Sequence, residues 1–209
     1  MAESDFGRAF TLMVSDTKRA NVPHLPAVHA LTPRSEGLRP LRYEGYGPGG
    51  AVLLLECRTE DPERTRTRLR RVFREHGGHL GAQGSVAYLF QRVGLLRYAP
   101  GADLERLTRT AFSAGAEDVT VRPGGPIEVL TDPQDFETVR AELCRQQLAP
   151  LAAGVTERPA LAVRLDGEAA RRMVRLIETL AALEEVCSVY TNAQLGEADS
   201  PVIPPLDHR

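Results

Sequence analysis

An α+β fold is predicted, and three observations predict it. Apolar runs of strand length alternate with amphipathic segments of helical period. Several of those segments follow an aspartate in helix-capping position. The middle third runs β-α-β-β-α-β, the ferredoxin-like order, and a β-α-β unit of matching form stands on either side of it. Whether the two flanking units are halves of one domain is left open by periodicity.

Taken in order, residues 4–20 carry Phe6, Phe10, Met13, Val14 and Thr17 at helical spacing, behind Ser4 or Asp5 as a cap. Pro23, Pro26, Pro33 and Pro40 then allow at most a turn or two of helix. Residues 1–41 therefore read as a reduced helical segment. Arg42 to Gly50 reads as a loop of low bulk, with Tyr43 and Tyr46 flanking Gly45, Gly47, Gly49 and Gly50. A strand over 51–57 leads to Asp61-Pro62, where Asp caps a helix and Pro takes its first position. Leu69, Val72, Phe73 and His76 line that helix's inner stripe, Gly77-Gly78 stops it, and 85–91 is expected to return as a strand.

A strand over 93–98 follows, then a helix over 103–114 burying Leu104, Leu107, Ala111 and Phe112. Residues 118–121 and 127–130 form a hairpin around Pro123-Gly124-Gly125-Pro126. Asp132-Pro133 repeats the cap signal before Phe136, Val139 and Leu143, and 151–156 closes the middle third. Beyond it, a strand over 160–165, a helix capped by Asp166 with Met173, Ile177 and Leu180 inside, and a strand over 186–190 complete the order. Residues 196–209, rich in proline and acid, are expected to be a disordered tail.

Composition narrows the chemistry. With 26 Lys and Arg against 28 Asp and Glu, the net charge of -2 provides no global field for nucleic acid or membrane, so any such contact needs a local patch. Cys57, Cys144 and Cys187 are too far apart for a disulfide framework or a zinc site, and fit a reducing cytoplasm. No apolar stretch reaches membrane-spanning length, and Glu3 and Asp5 do not suit a secretory signal.

Gly45, Gly47 and Gly50 spell G-x-G-x-x-G, but a dinucleotide fingerprint follows a strand and opens a helix, and here the order is reversed. His76 and His79 are the closest histidine pair and lack a third ligand nearby, so no metal is expected. No acid, base and nucleophile gather at readable spacing; neither enzymatic activity nor a cofactor is expected. The informative feature is the helix over 61–76, which holds Arg64, Arg66, Arg68, Arg70, Arg71 and Arg74. Arg64, Arg68 and Arg71 stand at i, i+4 and i+7 on one face, where guanidinium groups suit phosphates.

Several runs, in order, resemble the YebC/PmpR family. They are Arg42 to Gly50, His76-Gly77-Gly78 with Gly84-Ser85-Val86, Ala114 to Val119, Thr131-Asp132-Pro133, and Val189 to Ala193. The resemblance implies a YebC-like α+β architecture with a reduced N-terminal helical segment at 1–41. An α+β domain in two halves, 42–92 and 159–195, would carry an inserted ferredoxin-like domain at 93–158. It also implies a non-enzymatic, DNA-binding transcriptional regulator. A ribosome-associated translation factor binding rRNA or tRNA is the alternative, and a protein- or effector-binding module without nucleic-acid affinity is a third class. On this reading Arg42, Tyr43, Tyr46, Arg64, Arg68, Arg71 and Arg74 contact nucleic acid, while Gly45, Gly47, Gly49 and Gly50 let backbone approach it. The family's basic opening segment is missing, and Ala20-Asn21-Val22-Pro23 resembles the remnant of its first turn. Fewer phosphate contacts should weaken binding and flatten its salt dependence.

Overall fold

The computed structural model describes residues 38–121 and 125–195. The helix expected over 4–20, the proline-rich stretch after it and the tail at 196–209 lie outside the described residues. The chain divides into two compact units, with 38–91 and 159–195 in one and 92–158 in the other.

The first unit is built on a four-stranded sheet whose strands, in spatial order, are β3 (His79–Leu80), β1 (Arg39–Tyr46), β2 (Val52–Thr59) and β9 (Val186–Thr191). β1 (Arg39–Tyr46) and β2 (Val52–Thr59) form an antiparallel hairpin from Arg39↔Thr59 to Tyr46↔Val52. The turn between them is closed by the Gly47 N–H donating to the Ala51 carbonyl at 2.7 Å. Most of the stretch read as a loop is therefore strand, and only Gly47 to Ala51 turn. Alternation explains the difference: Tyr43 and Gly45 face one side and Glu44 and Tyr46 the other, so the residues suit a two-sided strand. Gly49 sits at φ 68°, in the left-handed region, and a Cβ there would lie 2.5 Å from Leu165.

Helix α1 (Pro62–Glu75) begins as expected, with the Asp61 carboxylate accepting from the Arg64 N–H at 3.0 Å. After it only His79–Leu80 (β3) returns to the sheet, pairing antiparallel with β1. The strand expected over 85–91 does not form before Phe90. The N–H groups of Val86 and Ala87 are held by the Glu44 carboxylate instead of a ladder, and Ala87–Leu89 makes a single 3₁₀ turn. The second flanking unit also departs from a simple β-α-β. β8 (Val163–Leu165) pairs parallel with β10 (Ala193–Leu195) in a small sheet of its own, while β9 (Val186–Thr191) runs antiparallel to β2. Between them α4 (Gly167–Ala181) packs beside α1 over the β1-β2-β9 surface. Leu53, Leu55, Leu69, Phe73, Met173, Leu176 and Leu180 are all fully buried there. Each such side chain contributes about 1.5–3 kcal/mol by leaving water.

The second unit contains β4 (Phe90–Tyr98), α2 (Leu104–Ser113), β5 (Asp118–Val121), β6 (Ile127–Thr131), α3 (Phe136–Arg145) and β7 (Ala152–Pro159). Its sheet runs β5-β6-β4-β7. β5 and β6 pair antiparallel, as do β4 and β6. One face, with Leu96, Tyr98, Ile127 and Val129, meets Leu107 and Ala111 of α2 and Phe136, Val139 and Leu143 of α3. Leu104 and Phe112, expected inside, are 42% and 50% exposed, because the inner stripe of so short a helix is filled by Leu107 and Ala111. The cap of α3 is also displaced: Asp132 accepts from the Gln134 N–H, and the helix starts after Asp135.

Candidate nucleic-acid interface

The arginine helix is oriented by its apolar stripe. Thr65, Leu69, Val72 and Phe73 are buried, and the Thr65 hydroxyl donates to Thr59 Oγ1 at 2.8 Å, anchoring the first turn to the end of β2. The remaining surface of α1 must then carry the cations: Arg64, Arg66, Arg70, Arg71 and Arg74 are exposed. Arg71 Nε lies 3.7 Å from Glu75, a weak surface pair. Arg64, Arg66, Arg70 and Arg74 have no acidic partner among the described residues. Arg68 differs, since its Nη1 reaches both oxygens of Glu185, at 3.1 and 3.2 Å, and ties α1 to the end of α4.

Arg42 stands elsewhere. It lies opposite Glu56 in the hairpin, 3.0 Å from its carboxylate, on the sheet face turned away from α1. The Tyr190 hydroxyl donates to the other oxygen of Glu56. The two tyrosines are divided as well. Tyr43 packs on the helix side and donates from its hydroxyl to the Pro62 carbonyl at 3.0 Å. Tyr46 packs on the opposite side, donates to the Ser85 carbonyl at 3.3 Å, and stacks on the His79 ring with centroids 4.8 Å apart. Both rings are half-buried and internally bonded, so they do not form a shared stacking platform. Of the glycines, Gly45 and Gly47 back onto side chains of the core, Phe73 in one case and Leu53 and Met173 in the other; Gly49 and Gly50 are exposed. The structure thus gathers Arg64, Arg71 and Arg74 on one surface and separates Arg42, Tyr43 and Tyr46 from them.

Glu44 was not singled out by sequence reasoning. Only 4% exposed, its carboxylate accepts the N–H groups of Gly84 and Val86 at 2.6 Å each and of Ala87 at 2.9 Å. Burial alone would raise its pKa, but the Val86, Gly84 and Ala87 donors and the charge of Arg42 outweigh it and hold the carboxyl below the usual range. No local pattern marked it, since the segment whose N–H groups it holds begins forty residues further on.

His76 and Cys57 are accounted for within the first unit. His76 places one ring nitrogen 2.9 Å from the Val72 carbonyl and the other 3.3 Å from the Thr179 hydroxyl. Burial, then Cys187, Glu185 and Glu56, push the Cys57 thiol up to about 12, so it stays protonated at neutral pH. Among the described residues, no group of three or more His, Cys, Asp or Glu is placed to hold a metal, and no helix is long and apolar enough to cross a membrane.

The family model for the second and third domains of TACO1/YebC matches residues 38–193. A probable transcriptional regulatory protein of Halorhodospira halophila is 44% identical over 161 residues, which is 77% of this chain and 65% of that protein. A protein of the same description from Paracidovorax citrulli is 41% identical over 189 residues, 88% of this chain and 79% of its own. Among solved structures, the conserved hypothetical protein Aq1575 of Aquifex aeolicus matches with a TM-score of 0.67 at 30% identity, over 83% of this chain and 71% of that one.

Proposed function

The chain belongs to the TACO1/YebC family, and from that premise we propose that it is a cytoplasmic regulator of gene expression that acts by binding nucleic acid and catalyses no reaction. The observation that carries this reading is the outward face of α1, where Arg64, Arg66, Arg70 and Arg74 are exposed without acidic partners among the described residues. Such a face supplies the local patch that a net acidic chain needs in order to hold phosphates. Relatives described as probable transcriptional regulatory proteins favour DNA as the target. Residues 93–158 are read as an inserted ferredoxin-like domain, a reading supported by the strand order β5-β6-β4-β7 with both helices on one face. The segments at 42–92 and 159–195 are read as the two halves of the domain that carries it.

Replacing Arg64, Arg71 and Arg74 together by glutamate tests the surface. A shift assay on duplex DNA over a salt series, run beside ribosome co-sedimentation, should show at least about a tenfold loss and a shallower salt dependence. Binding to DNA and to ribosomes that is unchanged by the triple substitution would refute the reading.

A further inference from the structure

α1 and α4 lie side by side on the same face of the β3-β1-β2-β9 sheet and run in opposite directions. Arg68, in the middle of α1, meets Glu185 just beyond the end of α4, whereas His76, after the end of α1, meets Thr179 within α4. A Cβ built at Gly77 would lie 3.8 Å from Nη1 of Arg172, still nearer the start of α4. With Ala170, Met173, Leu176 and Leu180 buried, helical geometry turns Glu168, Arg171, Arg172 and Arg175 outward, beside the arginine face of α1. All four are exposed.

Their side chains converge on one carboxylate. Glu168 alone accepts from Arg172 Nε at 3.0 Å and Arg171 Nε at 3.4 Å, and lies 3.5 Å from Arg175 Nη2. One carboxylate facing both Arg172 and Arg175 leaves that pair positive and gathers its cations at the helix start.

We propose that α1 and α4 together form one docking face for the phosphate backbone of duplex DNA, with Arg172 and Arg175 as its second row and Glu168 as the internal counter-charge that a phosphate displaces. This rests on the nucleic-acid reading above and enlarges its surface. Two packed helices hold their axes about 8–10 Å apart, so the two arginine rows are spaced on the scale of the B-DNA major groove, about 12 Å wide. Arginine on both rows suits bidentate phosphate contacts. Neither helix exposes an aromatic ring, since Phe73 is fully buried, and the face therefore lacks the stacking surfaces that single-strand binders use. Charge and the lack of exposed rings together favour a duplex.

The full chain is titrated with a short DNA duplex of arbitrary sequence, the matching single strand and an RNA hairpin, at several salt concentrations. R172E/R175E should weaken duplex binding about tenfold or more and lower the slope of log affinity against log salt by about 2. E168Q should tighten binding severalfold, a gain that misfolding does not produce. If the α1 triple variant weakens binding while R172E/R175E and E168Q both leave it unchanged, the second row is refuted and the α1 reading stands. Wild-type protein that binds none of the three probes overturns both. Preference for the single strand or the RNA hairpin overturns the commitment to duplex DNA.

Discussion

Glu44 lies within β1, almost fully buried, and its carboxylate accepts three backbone N–H groups from the 84–87 segment. A carboxyl whose folded-state pKa lies below its unfolded value contributes stability above the unfolded pKa and loses it as pH falls through the folded value. For Glu44 the folded value is lowered, so its contribution is complete at neutral pH and fades below the ordinary glutamate pKa of about 4.3. Glu44→Gln turns an amide donor toward at least one of the same N–H groups and should cost about 1–3 kcal/mol at neutral pH, read from denaturant midpoints. The gap from wild type should narrow as pH falls from 6 to below about 4; a gap independent of pH would remove the carboxylate from the explanation. This residue was invisible to spacing arguments because its partners are backbone groups of a segment whose position no local pattern specifies.

At the scale of elements, helix α1 and strand β1 constrain each other through one ring and one missing side chain. Phe73 is fully buried with its ring over Gly45, and a Cβ at that glycine would lie 2.5 Å from Cε1 and 2.6 Å from Cζ. Gly45→Ala should therefore cost about 1–3 kcal/mol through overpacking. Adding Phe73→Leu, which removes both ring atoms, should recover part of that cost in a double-mutant cycle. Strictly additive losses would show that the contact does not set the fit. The helices themselves were legible: Asp61 caps as expected and the inner stripes of α1 and α4 match the 3.6-residue period, although Asp166, expected to cap α4, makes no side-chain cap bond there. The hairpin of β5 and β6 was legible too, but the strand partners of the first unit were not. β3 is two residues long, and β8 joins β10 instead of β9, because pairing depends on which edge is available after the helices pack.

Over the whole molecule, the two halves of the first unit share one sheet. β9 pairs with β2, and the Ala160 N–H donates to the Leu89 carbonyl at 2.8 Å, so the chain leaves that unit and returns to it at neighbouring points. Residues 91–158 should then be replaceable by a short Gly-Ser linker, with β2–β9 amide protection retained in hydrogen exchange. Loss of that protection would show that the second unit is needed for the sheet to close. The candidate surface divides along the same lines. Of the set Arg64, Arg68 and Arg71 that the i, i+4, i+7 spacing grouped, Arg64 and Arg71 are exposed while Arg68 is held by Glu185, and Arg42 lies on the opposite side of the sheet, bonded to Glu56.

The amino-acid sequence by itself determined the α+β class, the position of the described helices and the Asp61 cap, the basic helix and the family, since these rest on local spacing and on runs of residues read in order. Only the tertiary structure decided that the glycine-rich stretch is mostly strand, that Glu44 holds the 84–87 segment, and that Tyr43 and Tyr46 face apart. It also brought the arginines of α4 beside those of α1. Register, sheet partner and the neighbour across a helix pair come from contacts between distant residues, which local periodicity does not encode.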